Sequence, residues 1–213
     1  MTKLILVRHG ESCWNISGRY QGQLDIDLSE RGQEQAKLVA QRLRKIQIDL
    51  ILTSPLRRAL DTAGLIASYH EHIPLVIDAS LTEIGHGEWE GLTAAEVEEK
   101  FSAELALWQT EPAKVKMPGG ESLAEVKARV FPTIQQAITE HPDKTILVCS
   151  HDAVLRLIIL EATGVSLAGF WGLRIDNAAI TVVEYHPAFS NVLALNDATH
   201  LGQLRSSLER QAL

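Results

Sequence analysis

Three short apolar runs in this chain each end abruptly in polar residues that can do chemistry. Lys3–Val7 runs into Arg8-His9-Gly10-Glu11-Ser12, Asp49–Thr53 into Ser54-Pro55, and Thr145–Cys149 into Ser150-His151. Runs this short, rich in Ile, Leu and Val, read as strands buried on both faces, the pattern of a parallel sheet. The segments between them have helical periodicity. Ser29 can cap a helix whose apolar face is Ala36, Val39, Ala40 and Leu43. Ser54-Pro55 is expected to open a second helix with proline at its first position. Ser122 and Glu125 form a capping box before a face of Leu123, Val126, Val130, Ile134, Ala137 and Ile138, with Pro132 marking a kink. A further helix is expected over Ala153–Ala162. Leu75–Ile77 reads as a short third strand, and the acidic stretch 83–104 as one or two exposed helices. Ala179–Tyr185 and Asn191–Leu195 read as an antiparallel addition at one edge. The expectation is an α/β fold: a three-layer α/β/α sandwich around a mostly parallel sheet, one domain over residues 1–213.

That architecture tells where function should lie. Open α/β sheets bind ligands beyond the carboxyl ends of their strands. Here His9, Ser54 to Arg58, and His151 all follow strand ends. The net charge of −7 argues against a nucleic-acid partner, so an anionic ligand must be drawn in by a local cationic pocket. No apolar stretch is long enough for a membrane span, and the apolar run before Arg8 is too short for a signal peptide. The two cysteines, Cys13 and Cys149, suit neither a disulfide framework nor a metal site. These features set the expectation of a reduced, cytoplasmic protein acting on a small molecule.

Phosphoryl transfer makes demands that these residues meet. The transferred group carries spread negative charge, so catalysis is mostly positioning and electrostatic stabilisation. Arginine binds phosphate oxygens through a planar fork that keeps its charge. A neutral imidazole can attack phosphorus and be released later by water. A carboxylic acid must protonate the leaving alkoxide. Arg8, His9, Arg58, His151 and a carboxylate such as Glu83 supply that set, with no metal and no cofactor.

In its ordered motifs the chain resembles the histidine phosphatase superfamily, also called the phosphoglycerate mutase-like family. Leu6-Val7-Arg8-His9-Gly10-Glu11-Ser12, with Asn15 and Gly18, is similar to the Arg-His-Gly signature. Ser54-Pro55-Leu56-Arg57-Arg58-Ala59, then Thr62-Ala63, is similar to the second block. Leu81-Thr82-Glu83 with Gly87, Glu90 and Gly91 matches the proton-donor block. Gly119-Gly120-Glu121-Ser122 and Val148-Cys149-Ser150-His151 complete the series. The resemblance implies a phosphoglycerate mutase-like fold in which His9 is the nucleophile. It further implies that Arg8, Arg58, His151 and Asn15 hold the phosphoryl group and that Glu83 is the general acid and base. Asp152 departs from the pattern, standing where many members have glycine.

Only 27 residues, Leu92–Pro118, lie between the last two of these blocks before the long helix, where sugar-acid mutases usually carry a longer insertion. Hydrolysis is therefore favoured over mutase chemistry. His86, three residues after Glu83, together with Gln21-Gly22 and His200-Leu201, is similar to the metal-independent phosphoserine phosphatases. That resemblance implies imidazole contacts to the carboxylate of L-phosphoserine and a place in serine biosynthesis. α-Ribazole phosphate, a phosphorylated sugar acid, broad specificity, a mutase and a non-catalytic phosphate-binding module remain alternatives, as does a metal-dependent hydrolase. The remaining features have plainer readings. Arg57 reads as solvated, Glu96, Glu98, Glu99 and Glu104 as a wet helix face, and His70-Glu71-His72 as exposed rather than metal-binding. Trp89, Trp108 and Trp171 read as packing residues. The late strands and the apolar face of the C-terminal segment offer a homodimer interface, as relatives often pair.

Overall fold

The computed structural model describes residues 1–207, 211 and 212. Six strands form one sheet: β1 (Thr2–Arg8), β2 (Leu50–Thr53), β3 (Leu75–Ile77), β4 (Thr145–Ser150), β5 (Ile180–Tyr185) and β6 (Ser190–Asp197). Their spatial order is β3-β2-β4-β1-β5-β6. The first four are mutually parallel, while β5 runs antiparallel to β1 and β6 antiparallel to β5. The late strands are thus the antiparallel edge expected from the sequence.

Alternation along each strand divides the core into two layers, because successive side chains of a strand point to opposite faces. Leu4, Leu6, Ile146 and Val148 point to one face and pack with α4 (Ala94–Thr110), α5 (Leu123–Glu140) and α6 (Asp152–Thr163). Ile5, Val7, Leu147 and Cys149 point to the other and pack with α2 (Glu30–Leu43) and α3 (Arg57–Ala67). The short α1 (Cys13–Ser17) lies in the loop after β1. This is the three-layer α/β/α sandwich.

Local signals placed most helix ends. Ser29 accepts the Gly32 N–H, and Ser122 with Glu125 forms a reciprocal capping box. One expectation is corrected. Pro55 does not open α3, which begins at Arg57 after a Leu56 cap. The Ser54 hydroxyl instead accepts the Leu56 N–H at 3.2 Å and lies 2.7 Å from His151 Nε2. Pro132 lies inside α5, which runs helical from Leu123 to Glu140. A backbone irregularity falls in α4, at Phe101 (φ −137°, ψ 41°), whose ring meets Trp89 with centroids 6.4 Å apart. The acidic stretch divides as well: Glu98, Glu99 and Glu104 lie on the wet face of α4, whereas residues 83–86 are largely buried and form a wall of the site. No helix among the described residues is long and apolar enough to cross a membrane.

Candidate active site

Because β1, β2 and β4 are neighbours and parallel, their carboxyl ends bring Arg8-His9, Ser54 and Ser150-His151 to one edge. A small cavity of about 30 Å³ opens there, lined by Arg8, His9, Asn15, Gln21, Gly22 and Arg58. Glu83, His86, Asp152 and Ala212 complete its polar and tail-facing sides, and Trp108 and Phe170 add aromatic wall.

His9 is 2% exposed, and its Nδ1 lies 2.6 Å from the carbonyl of Gly10. A carbonyl only accepts, so Nδ1 carries the proton and Nε2 keeps its lone pair. Burial, with Arg58 and Arg8 nearby, holds the ring well below the ordinary histidine range. The result is a neutral imidazole with one fixed tautomer. His151 sits against it, ring centroids 5.1 Å apart. Burial and the same cations depress its pKa too.

Backbone carbonyls anchor both guanidiniums, and Arg8 also faces a carboxylate. Arg58 donates to the carbonyls of Leu24 at 2.7 Å and Gly22 at 2.8 Å. Gly22 reaches this position with φ +50°, and a Cβ there would collide with the Glu90 carboxylate. Arg8 donates to the Ile175 carbonyl at 2.7 Å and lies 3.5 Å from Asp152 Oδ1. The Nε–H groups of both arginines are buried without a hydrogen-bond partner among the described residues. Burial lowers both pKa values, that of Arg58 to about 10, which leaves it cationic at neutral pH. Unpaired buried donors on two cations make a site built for an anion.

Asn15 is oriented by the first turn of α1. Its Oδ1 accepts the Ser12 N–H at 2.9 Å and Asn177 Nδ2 at 3.3 Å, which turns its own Nδ2 toward the cavity. Gln21 Oε1 is held 2.6 Å from Ser12 Oγ in the same way. Glu83 receives the N–H groups of Ile84 (2.9 Å) and Ala153 (3.2 Å), both on Oε1, so Oε2 is the atom left to carry a proton. Burial first, then Asp152, raises its pKa against the pull of the Ile84 N–H, Arg58 and Arg8. His86 is buried beside Tyr20, with Nδ1 3.5 Å from the Ile84 carbonyl, Nε2 without a hydrogen-bond partner among the described residues, and its pKa lowered to about 4 by burial and Arg58.

His200 and Leu201 are not brought to the cavity. They lie in the turn 199–204, where Leu201 packs into the core beside Val39 and Ala40 of α2. His200 Nε2 donates to the Ala178 carbonyl at 3.1 Å, and the ring borders a shallow groove with Arg42 and Lys45. The apolar Leu201 anchors the turn, and that anchoring points His200 away from the site. The tail contributes another residue instead. Gln211 Oε1 accepts from Arg8 Nη2 at 2.8 Å and Asn15 Nδ2 at 3.2 Å, while its Nε2 donates to Asn177 Oδ1 at 2.8 Å. Of the expected tail Gln203–Leu213, residues 208–210 and 213 lie outside the described residues. Neither Gln211 nor Asn177 belongs to a motif or periodic face, so nothing local in the sequence marks them. The readings of Arg57 and Trp89 hold: Arg57 is an exposed partner of Asp27, and Trp89 is core. Trp108 is core and cavity wall together. No cluster of three or more metal-ligating side chains occurs among the described residues.

A neutral imidazole, two buried cations and a buried carboxyl with a raised pKa at the carboxyl ends of parallel strands define a site of the phosphoryl-transfer class. The chain belongs to the histidine phosphatase superfamily (branch 1), whose family model matches residues 4–198. It is 43% identical over 203 residues to phosphoserine phosphatase 1 of Hydrogenobacter thermophilus, covering 95% of this chain and 96% of that one. YhfR of Bacillus stearothermophilus superposes with a TM-score of 0.90 at 29% identity, covering 94% of this chain and all of that one (100%). A phosphoserine phosphatase mutant of Entamoeba histolytica, solved in complex with phosphoserine, superposes with a TM-score of 0.81 at 30% identity, covering 94% and 100%.

Proposed function

We propose that this chain hydrolyses L-phosphoserine to L-serine and phosphate without a metal, through a phosphohistidine on His9. The observation that carries the chemistry is the fixed tautomer: Nδ1–H bonded to Gly10 leaves Nε2 free beside two buried guanidiniums. In the first step Nε2 attacks phosphorus as the ester bond breaks. Arg8, Arg58, His151 and Asn15 hold the phosphoryl oxygens, and Glu83 gives its proton to the departing serine oxygen. In the second step the Glu83 carboxylate takes a proton from water, which attacks phosphorus and frees His9.

The substrate reading rests on the similarity to phosphoserine phosphatases together with His86. A neutral imidazole, half-surrounded by aromatic rings, offers its one N–H to a substrate carboxylate from Nε2 when the proton leaves the long 3.5 Å contact of Nδ1 with the Ile84 carbonyl. Gln21 adds a neutral amide on the same wall. The test is kcat/KM for L-phosphoserine, 3-phosphoglycerate, α-ribazole phosphate and p-nitrophenyl phosphate with chelator present. A clear preference for phosphoserine supports the proposal. Turnover that disappears with chelator contradicts the metal-free route, and a preference for another ester contradicts the substrate.

A further inference from the structure

Asp152 and Glu83 are the two carboxylates on the cavity wall. Asp152 is the first residue of α6, next to His151, and is 3% exposed. An added negative charge weakens phosphate binding, so its presence in an anion pocket needs a reason beyond affinity. Service to Arg156 is not enough. Arg156 Nε does donate to Asp152 Oδ2 at 2.6 Å, but its guanidinium is also held by the Phe170 carbonyl at 3.0 Å and by the rings of Phe170 and Trp171, 5.2 and 5.1 Å away. The other oxygen, Oδ1, faces Arg8 Nη1 at 3.5 Å and accepts no hydrogen bond among the described residues. The next residue, Ala153, donates its N–H to Glu83 Oε1 at 3.2 Å. One dipeptide step therefore meets both the phosphate-facing guanidinium and the acid.

We infer that Asp152 is a positioning residue for the reaction, fixing the Arg8 fork and setting the field at the Glu83 carboxyl. The inference rests on the assignment of Glu83 as general acid. Arg8 from β1 and Arg58 from α3 both favour ionised Glu83, whereas Asp152 from α6 opposes them. Arg129 of α5 meets Glu83 at its backbone carbonyl, at 2.9 Å, and is paired with the Glu121 carboxylate, and the His9 and His151 rings are neutral. With Asp152 neutralised, two cations would act on Glu83 unopposed, and it would lose its proton at lower pH. The proton needed by an alkoxide leaving group would then be missing at the working pH.

The test is the pH profile of kcat/KM for an alkyl ester, phosphoserine, beside an aryl ester, p-nitrophenyl phosphate, whose phenolate leaves with little need of a proton. Glu83→Gln serves as the reference variant. Asp152→Asn should move the alkaline limb of the alkyl-ester profile to lower pH by about one unit, roughly a tenfold loss on that side. The aryl-ester profile should keep its limb. If the single variant folds poorly, Asp152→Asn/Arg156→Gln removes both members of the buried pair and should show the same displacement. A uniform loss at every pH with both esters would mean a merely structural counter-ion and would overturn the inference. So would an unmoved limb where Glu83→Gln removes it. An alkaline limb that survives in Glu83→Gln would defeat the acid assignment and the inference with it.

Discussion

Replacing His86 by glutamine should flatten the acid side of the stability curve, by an amount that the burial of the ring sets. In the folded chain the pKa of His86 is lowered from 6.5 to about 4, first by burial and then by Arg58. The unfolded chain therefore binds a proton at higher pH than the folded chain, and stability falls as the pH drops below the unfolded value. The cost is nil near pH 7.5, about 2 kcal/mol at pH 5 and about 3 kcal/mol at pH 4, and it levels off below that. Glutamine keeps a polar side chain against Tyr20 and Trp108 but binds no proton. Urea unfolding of both proteins at several pH values between 4 and 7.5 gives the comparison. All other groups are shared, so the difference between the two curves isolates His86. The variant should gain on wild type by about 2 kcal/mol between pH 7.5 and 5. Curves that fall in parallel would mean that His86 is charged or solvated in the folded chain, and its part as a neutral carboxylate donor would go with it.

Other outcomes follow from the same geometry. Glu83→Gln retains an acceptor for the Ile84 and Ala153 N–H groups but loses the proton. It should cost about 10²–10⁴ in kcat/KM for phosphoserine and far less for p-nitrophenyl phosphate; equal losses on both would contradict a proton-donor role. Gln211 holds the Arg8 and Asn15 donors that a phosphate oxygen would use. Gln211→Ala should therefore tighten inhibition by inorganic phosphate roughly tenfold, the value of one or two exchanged hydrogen bonds. Weaker inhibition would show that Gln211 assists the anion instead of competing with it. His86→Ala should raise KM for phosphoserine well above its effect on p-nitrophenyl phosphate, and matched effects would remove the carboxylate contact.

What the chain discloses before folding follows how local each signal is. The strands announced themselves because Leu4-Ile5-Leu6-Val7 and Ile146-Leu147-Val148-Cys149 must be apolar on both faces of a covered sheet. His9, Arg58 and His151 were legible because each directly follows such a run or its turn. The Ser122 box and the Ser29 cap need only their next three residues, and both formed. Pro55 misled because Ser54, the natural cap, is drawn to His151, a contact 97 residues away in sequence. Glu83 emerged through resemblance rather than through its acidic neighbourhood. His200 was misplaced because the packing of Leu201 under α2 decides which way the turn faces. Asn177 and Gln211 are set by tertiary contact alone, with Asn15 and Arg8 at the far end of the chain.

The central claim is that the phosphoryl group passes through His9. Single-turnover mixing with radiolabelled phosphoester, quenched in base to preserve phosphohistidine and followed by peptide mass spectrometry, addresses it directly. The label should appear transiently on the peptide containing His9, at the imidazole, and be absent from the His9→Ala protein whose circular dichroism matches wild type. Turnover with no labelled intermediate, label on another residue, or an active His9→Ala protein would contradict the account.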